Sequence, residues 1–137
     1  MITQQYIELL QVAIGQCIYL SKVLTEEEWR QMYKSLKNHD LLGIGYVAIQ
    51  KLPQEQWPPK ALVLKWIGVA ERIKIRNVAL NEECRVVVSQ LEHDGIDAVV
   101  IKGQSNLENY PEELSLYRNS GDIDVWTAPL CDISVAV

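Results

Sequence analysis

Apolar residues recur at intervals of three and four positions through most of the first 93 residues, a pattern that predicts a helical N-terminal region of about residues 3–93. The first run, residues 3–20, predicts a helix with a wide apolar face that must be buried. A second helix is predicted over residues 26–38. It is preceded by Thr25 and contains Glu28, the two residues of a capping box, in which each side chain satisfies a free backbone N–H of the first turn.

Two further helices are predicted before residue 93. The apolar segment 41–52 predicts a short third helix, although Gly43 and Gly45 weaken that prediction. After a break at two adjacent prolines, apolar periodicity resumes over residues 60–93. This segment predicts either one helix of more than thirty residues or two helices with a bend near Asn77.

The pattern changes from helix to strand at residues 94–95, where Asp-Gly indicates a helix stop with glycine after the last turn. The β-branched run that follows predicts a buried strand near residues 97–102. A short helix and a turn come next, and "DIDVW" predicts a second strand over residues 122–126. We expect the two strands to be neighbours, with Gly103 and Asp122 at the same end.

The amino-acid composition limits the classes of protein to which the chain can belong. The chain has 137 residues, 48% of them hydrophobic, which fits one globular domain with a core. A net charge of -5 provides no basic surface for non-specific binding of nucleic acid. The four tryptophans are interpreted as core or helix-contact residues.

The remaining sequence features point to a cytoplasmic, soluble protein. The N-terminus has no signal-peptide pattern, and no apolar run approaches the roughly 18–20 residues that cross a membrane. Three widely spaced cysteines do not suggest a disulfide framework, and with two histidines in all a structural zinc site is not expected.

Asp122 and Asp124 are the candidate catalytic and metal-binding residues. In a strand they alternate onto one face, where two carboxylates repel each other unless a cation lies between them. Mg²⁺ prefers oxygen ligands and is typically held by one or two carboxylates together with substrate phosphates. The alternative interpretation is a solvated edge strand, where charges deter aggregation.

Residues around the two acids could bind phosphate. Lys102 and Gly103 follow the first predicted strand, where a cation and an open backbone suit an anion. Arg118 and Ser120 offer a guanidinium fork and a hydroxyl, and Gly121 lets a phosphate approach the backbone. Alternatively, Lys102 is a surface lysine, Ser120 is a turn residue, and Arg118 forms an ion pair with Glu112 or Glu113; these alternatives stay open.

The segment "VVIKGQSNLENYPEELSLYRNSGDIDVW" resembles the core of the uncharacterised bacterial nucleotidyltransferases, a branch of the polymerase-beta-type superfamily. The resemblance rests on a hydrophobic-Lys-Gly motif, an arginine, and a Gly-Asp-hydrophobic-Asp motif, here Ile101, Lys102, Gly103, Arg118, Gly121, Asp122, Ile123 and Asp124. It implies that residues 96–137 form the first strands of a nucleotidyltransferase-type mixed sheet. Together with the helical region (about residues 1–95), which periodicity predicts and which is compatible with the family, this gives an expected α+β fold. The resemblance also implies that the two acids hold Mg²⁺ on a nucleoside triphosphate while a nucleotidyl group passes to an acceptor hydroxyl.

The sequence departs from the family pattern in two places. Gln104 stands where the wider superfamily has Gly or Ser, although Ser105 follows at once and could serve. Members also carry a third carboxylate on a later strand. Here Asp132 is the only acid after Asp124, too close to it for a returning strand. We therefore expect the N-terminal part of a longer enzyme, or a truncated homologue.

Two functions remain open from the sequence. The first is a nucleotidyltransferase with an incomplete catalytic core, which uses Mg²⁺ and a nucleoside triphosphate such as ATP and acts on an unidentified acceptor. The second is a non-catalytic helical interaction module, or a degenerate homologue, that retains the fold. Either could form a homo-oligomer through an exposed helical surface or the sheet edge.

Overall fold

The computed structural model describes residues 3–101, 109–119 and 123–129. Its elements are, in chain order, helices α1 (Thr3–Ala13), α2 (Glu26–Asn38) and α3 (Leu42–Lys51), a 3₁₀ turn (Gln54–Gln56), helix α4 (Lys60–His93), strand β1 (Ile96–Ile101), helix α5 (Glu112–Ser115) and strand β2 (Asp124–Pro129). The architecture is α+β, mostly helical with a two-stranded sheet near the C-terminus, and the predicted fold class is confirmed.

The main hydrophobic core lies where α1, α2, α3 and the first half of α4 meet. Trp29 and Trp66 are almost completely buried there, and their rings meet edge to face with centroids 6.1 Å apart. Tyr33 also meets the Trp66 ring edge to face, with centroids 5.1 Å apart. The indole N–H of Trp66 donates to the carbonyl of Leu42 at 2.8 Å, so the polar end of this large side chain is satisfied inside the core.

Helix α1 is shorter than the sequence predicts. It ends at Ala13, seven residues before the end of the predicted helix, and the prediction over residues 14–20 is wrong. The cause is Gly15, whose φ of +83° ends the helix in a left-handed residue. The backbone N–H groups of Gly15 and Gln16 then donate to the carbonyls of Val12 and Gln11, the pattern of a Schellman motif.

Helices α2 and α4 follow the predictions closely. The capping box at the start of α2 is present, because the Glu28 N–H donates to Thr25 Oγ1 at 3.2 Å and the Thr25 N–H donates to the Glu28 carboxylate. Helix α4 is a single helix of 34 residues without a break at Asn77. It ends where predicted, since Gly95 has a φ of +80°.

The strands form an antiparallel pair in which Ile96 lies opposite Pro129 and Ile101 lies opposite Asp124. Ala98 is buried on the face that packs against α4. The opposite face exposes Val99 and Trp126. The first strand is therefore not buried on both faces as its composition suggests, and the interpretation of Trp126 as a core residue is wrong.

The strand boundaries also differ from the predicted ones. β1 begins and ends one residue earlier than predicted, and β2 starts at Asp124 and extends to Pro129. Among the described residues, no helix combines the length and the apolar character needed to cross a membrane.

Candidate functional site

Asp124 is the first residue of β2, where it lies opposite Ile101, the last residue of β1. The two predicted strands are therefore neighbours, as expected. Because the strands are antiparallel, the chain leaves β1 and enters β2 at one end of the hairpin. The half-buried Asp124 side chain shares the outer face of the sheet with Ile101, Val99 and Trp126.

Arg118 and Asp124 are the two predicted site residues that fall in the described part of the chain. The other predicted site residues lie outside it: Lys102, Gly103, Ser105, Ser120, Gly121 and Asp122. Their roles stay predictions, as does the expected position of Gly103 and Asp122 at one end of the sheet. Among the residues that the structure describes, no three His, Cys, Asp or Glu side chains are grouped closely enough to hold a metal ion.

The segment that leads into the acid pair is held by Asn77, in the middle of α4. The Asn77 amide nitrogen donates to the carbonyls of Leu116 at 2.7 Å and Arg118 at 2.6 Å. Asn77 is only 1% exposed, and both of its hydrogen bonds are partly buried. A buried amide that binds two carbonyls fixes the backbone on which Arg118 is carried.

Helix α3 holds the same segment from the other side. A β-carbon built on Gly43 would lie 2.0 Å from the carbonyl oxygen of Tyr117, so only glycine permits this approach. The Tyr117 ring packs against that of Tyr46, with centroids 5.7 Å apart. Burial, with a smaller effect of the Glu71 charge, raises the pKa of Tyr117, which is therefore neutral at physiological pH.

The short helix α5 anchors the start of this segment. Leu114 is buried in the main core. Glu113 forms an ion pair with Lys51, whose ammonium group also donates to the carbonyl of Ala13 at 2.9 Å. Lys51 thus joins the ends of α1 and α3 to α5.

A cleft of about 230 Å³ lies beside the segment. We call it the arginine cleft, and its lining residues are Val69, Arg72, Ile73, Arg76, Asn77 and Asn119. The Asn119 side-chain amide donates to the Asp40 carboxylate at 3.2 Å. The cleft is therefore bounded on one side by α4 and on the other by the residue directly before Ser120.

Comparison with family models identifies the chain. A model described as "Uncharacterised nucleotidyltransferase" matches residues 25–130, more than three quarters of the sequence. The chain therefore belongs to this nucleotidyltransferase family, and the resemblance read from the motifs is confirmed. A search of curated proteins and a search of solved structures each found no match.

Sequence reasoning proposed the acid pair but missed what holds the preceding segment. Gly43 carried a signal, since a glycine in an otherwise apolar helix indicates a close approach of backbone. Asn77 carried one too, because it is a polar residue in line with the buried positions Ala70 and Cys84 of the same helix. Neither residue identifies its partner from the sequence, because residues 116–118 lie about forty positions from Asn77 and more than seventy from Gly43.

Proposed function

We propose that this protein is a Mg²⁺-dependent nucleotidyltransferase, which transfers a nucleotidyl group from a nucleoside triphosphate, ATP in the first instance, to an acceptor hydroxyl. The observation that carries the proposal is the family match, which spans both motif halves, Ile101–Gly103 and Gly121–Asp124. The pairing of Ile101 with Asp124 supports it, because it joins the two halves of the motif through one hairpin.

Asp122 and Asp124 are the proposed metal ligands. Asp124 fits this role in its chemistry and its position, since it is a half-buried carboxylate at the very start of β2. Carboxylate oxygens are hard donors of the kind that Mg²⁺ selects. When bound, the cation neutralises the phosphates and favours in-line displacement of pyrophosphate.

The remaining predicted residues bind and orient the triphosphate in this proposal. Lys102 and the backbone at Gly103 contact phosphate oxygens, and Ser105 and Ser120 donate hydroxyl hydrogen bonds. Arg118 offers its guanidinium fork from a backbone that Asn77 fixes. Gly121 leaves the backbone open for the phosphates to approach.

The metal role is tested by isothermal titration of Mg²⁺ with each of the four nucleoside triphosphates, first on the unmodified chain and then on Asp122→Asn with Asp124→Asn. We expect the double substitution to weaken Mg²⁺-nucleotide binding by at least about tenfold, because it removes both anionic ligands. Nucleotide without Mg²⁺ should bind weakly to both proteins.

Asp97→Asn is the matched control for this experiment. Asp97 is an exposed carboxylate on the same outer face of the hairpin, paired with Ala128 at the opposite end from Asp124. It should bind Mg²⁺-nucleotide as the unmodified chain does. Equal affinity in the double variant and the unmodified chain would show that the two acids do not hold the metal.

The second candidate is a non-catalytic interaction module that retains the family fold. The observation that favours it is the apolar outer face of the hairpin, where Val99 and Trp126 are 59% and 67% exposed. The titration separates the two candidates. An interaction module binds no nucleotide in the presence or absence of Mg²⁺.

A further inference from the structure

Two arginines in the arginine cleft stand out by their placement. Arg72 and Arg76 are one turn apart on α4, so their side chains project from the same side of the helix. Both are exposed, while Val69 and Ile73 beside them are half-buried and form an apolar lining. Two guanidinium groups over an apolar lining form a surface suited to an oxyanion with an organic body.

Among the described residues, these arginines differ from two other helical arginines, Arg30 and Arg85, which have acidic partners. Arg30 pairs with Glu26, and Arg85 pairs with Glu82, in the usual manner of solvated helix surfaces. Within residues 3–101, 109–119 and 123–129, neither Arg72 nor Arg76 has a carboxylate within ion-pair distance. Their positive charge is therefore not cancelled by a partner there.

The far wall of the cleft is polar and fixed in place. Asn119 is oriented by its hydrogen bond to Asp40. Asp40 is a negative charge next to the cleft, so it favours a ligand whose anionic group lies on the arginine side. The second N–H of the Asn119 amide group is a further donor that such a ligand can use.

The cleft is close in sequence to Asp124, one of the two proposed metal ligands. Asn119 precedes Asp124 by five residues, so their α-carbons are at most about 18 Å apart. A small organic molecule anchored in the cleft can extend over part of that distance and present a hydroxyl at the reacting phosphate. None of the residues that line the cleft is among those proposed to bind the triphosphate.

We propose that the arginine cleft binds the acceptor substrate through an anionic group, a phosphate or a carboxylate, held by Arg72 and Arg76. The inference rests on the proposed nucleotidyltransferase function, and it specifies the acceptor as a small anionic molecule that also carries a hydroxyl. Guanidinium forks bind either oxyanion in a bidentate manner, which fixes orientation as well as affinity.

The binding site is tested with simple probes, without nucleotide or metal. Inorganic phosphate and acetate are titrated separately into the ¹⁵N-labelled chain of 137 residues, and NMR follows the Asn119 side-chain amide and the Nε–H groups of Arg72 and Arg76. We expect saturable shifts at these groups with at least one probe, and the stronger probe identifies the kind of anion. The affinity should fall by at least about tenfold in Arg72→Gln with Arg76→Gln.

Arg85→Gln is the matched control, because it removes an exposed arginine from the same helix and should leave probe affinity unchanged. Glutamine and arginine have similar helix propensity, so the variants should melt at nearly the same temperature as the unmodified chain. Equal affinity in the double arginine variant, or shifts confined to other residues, would overturn the proposal.

A second titration separates this proposal from the metal proposal. Asp122→Asn with Asp124→Asn should bind the anion probe normally, whatever happens to Mg²⁺-nucleotide. The double arginine variant should bind Mg²⁺-ATP within about twofold of the unmodified chain, since the triphosphate lies elsewhere. If Mg²⁺-ATP binding falls with the arginines, the cleft holds the nucleotide and the acceptor assignment is wrong.

Discussion

Because Gly43 has no side chain, a segment that is distant in the sequence can pack directly against the backbone of α3. The Gly43 Cα faces the carbonyl of Tyr117, and a methyl group there would lie 2.0 Å from that oxygen. We expect Gly43→Ala to destabilise the fold by about 1–3 kcal/mol, because either α3 or the 116–118 segment must move. Urea denaturation measures the change.

Gly68→Ala is the contrasting substitution. Gly68 is exposed within α4, and a β-carbon there meets no atom within 4 Å. Alanine should therefore stabilise the chain by about 0.5–1 kcal/mol through helix propensity alone. If the two substitutions have the same effect, the close approach of Tyr117 to α3 is not a feature of the folded protein in solution.

For single residues, the sequence suggests candidate roles but does not identify long-range partners. Asp124 was proposed as a site residue because aspartates are unfavourable in strands, so two of them in alternation call for an explanation. Gly43 appeared only as a weakness in a helix, and Asn77 only as a place for a bend. Their roles depend on contacts with residues 116–118, and local periodicity holds no information on such contacts.

Among the elements, α1 and the loop after it are joined by Glu8. One oxygen of the Glu8 carboxylate accepts hydrogen bonds from the Ser21 N–H at 3.0 Å and the Ser21 hydroxyl at 3.1 Å, and Gln4 donates to the other. Burial by itself would raise the pKa of Glu8, but these hydrogen bonds outweigh it and the pKa is lowered.

A lowered pKa makes this link sensitive to acid. The carboxylate stabilises the fold fully above the ordinary glutamate pKa of about 4.3, and the stabilisation is lost as pH falls through the lower folded value. We expect Glu8→Gln to lower the free energy of unfolding by about 0.5–1 kcal/mol at pH 7, since the site is partly screened by solvent, and by progressively less as the pH falls below about 4.3. Urea denaturation from pH 3 to 7 measures the difference.

Glu55→Gln provides the comparison for Glu8. Glu55 is exposed in the 3₁₀ turn, and its substitution should change the free energy of unfolding at pH 7 by less than that of Glu8. A Glu8→Gln effect that does not shrink in acid would mean that the Ser21 hydrogen bonds do not depend on the charge of Glu8.

Helix lengths were predictable where caps were present in the sequence. Thr25 and Gly95 mark ends that the structure reproduces, because a capping side chain or a left-handed glycine acts within one turn. The end of α1 was missed because apolar residues continue past Gly15. Ile18 and Tyr19 are nevertheless exposed. The apolar residues after Gly15 continue the helical spacing but are not buried, so the spacing alone made the predicted helix too long.

For the molecule as a whole, the orientation of the hairpin can be tested with its tryptophans. Trp29 and Trp66 are buried, Trp57 is half-buried, and Trp126 is 67% exposed on the outer face. We expect Trp126→Phe to remove most of the emission that iodide quenches, whereas Trp57→Phe removes less. Stern–Volmer titrations measure both.

The same experiment tests whether the outer face of the sheet is exposed in solution. If iodide quenching is unchanged by Trp126→Phe, then the outer face is covered in solution, by a second copy of the chain or by another part of it. The sequence could not predict which face is exposed, because the runs "AVVI" and "DVW" are apolar at positions that alternate onto both sides of the hairpin.

The two hydrogen bonds from Asn77 have a consequence for the order in which the molecule folds. They join residues 39 and 41 positions apart, whereas the contacts within each helix are local. Closing so long a loop costs conformational entropy before the hydrogen bonds form and offset that cost. We therefore expect the local helices to form early and this contact to form late. During synthesis α3 and α4 are complete before residue 116 is made. We therefore expect the segment before the acid pair to dock last, onto a helical surface already shaped to receive it.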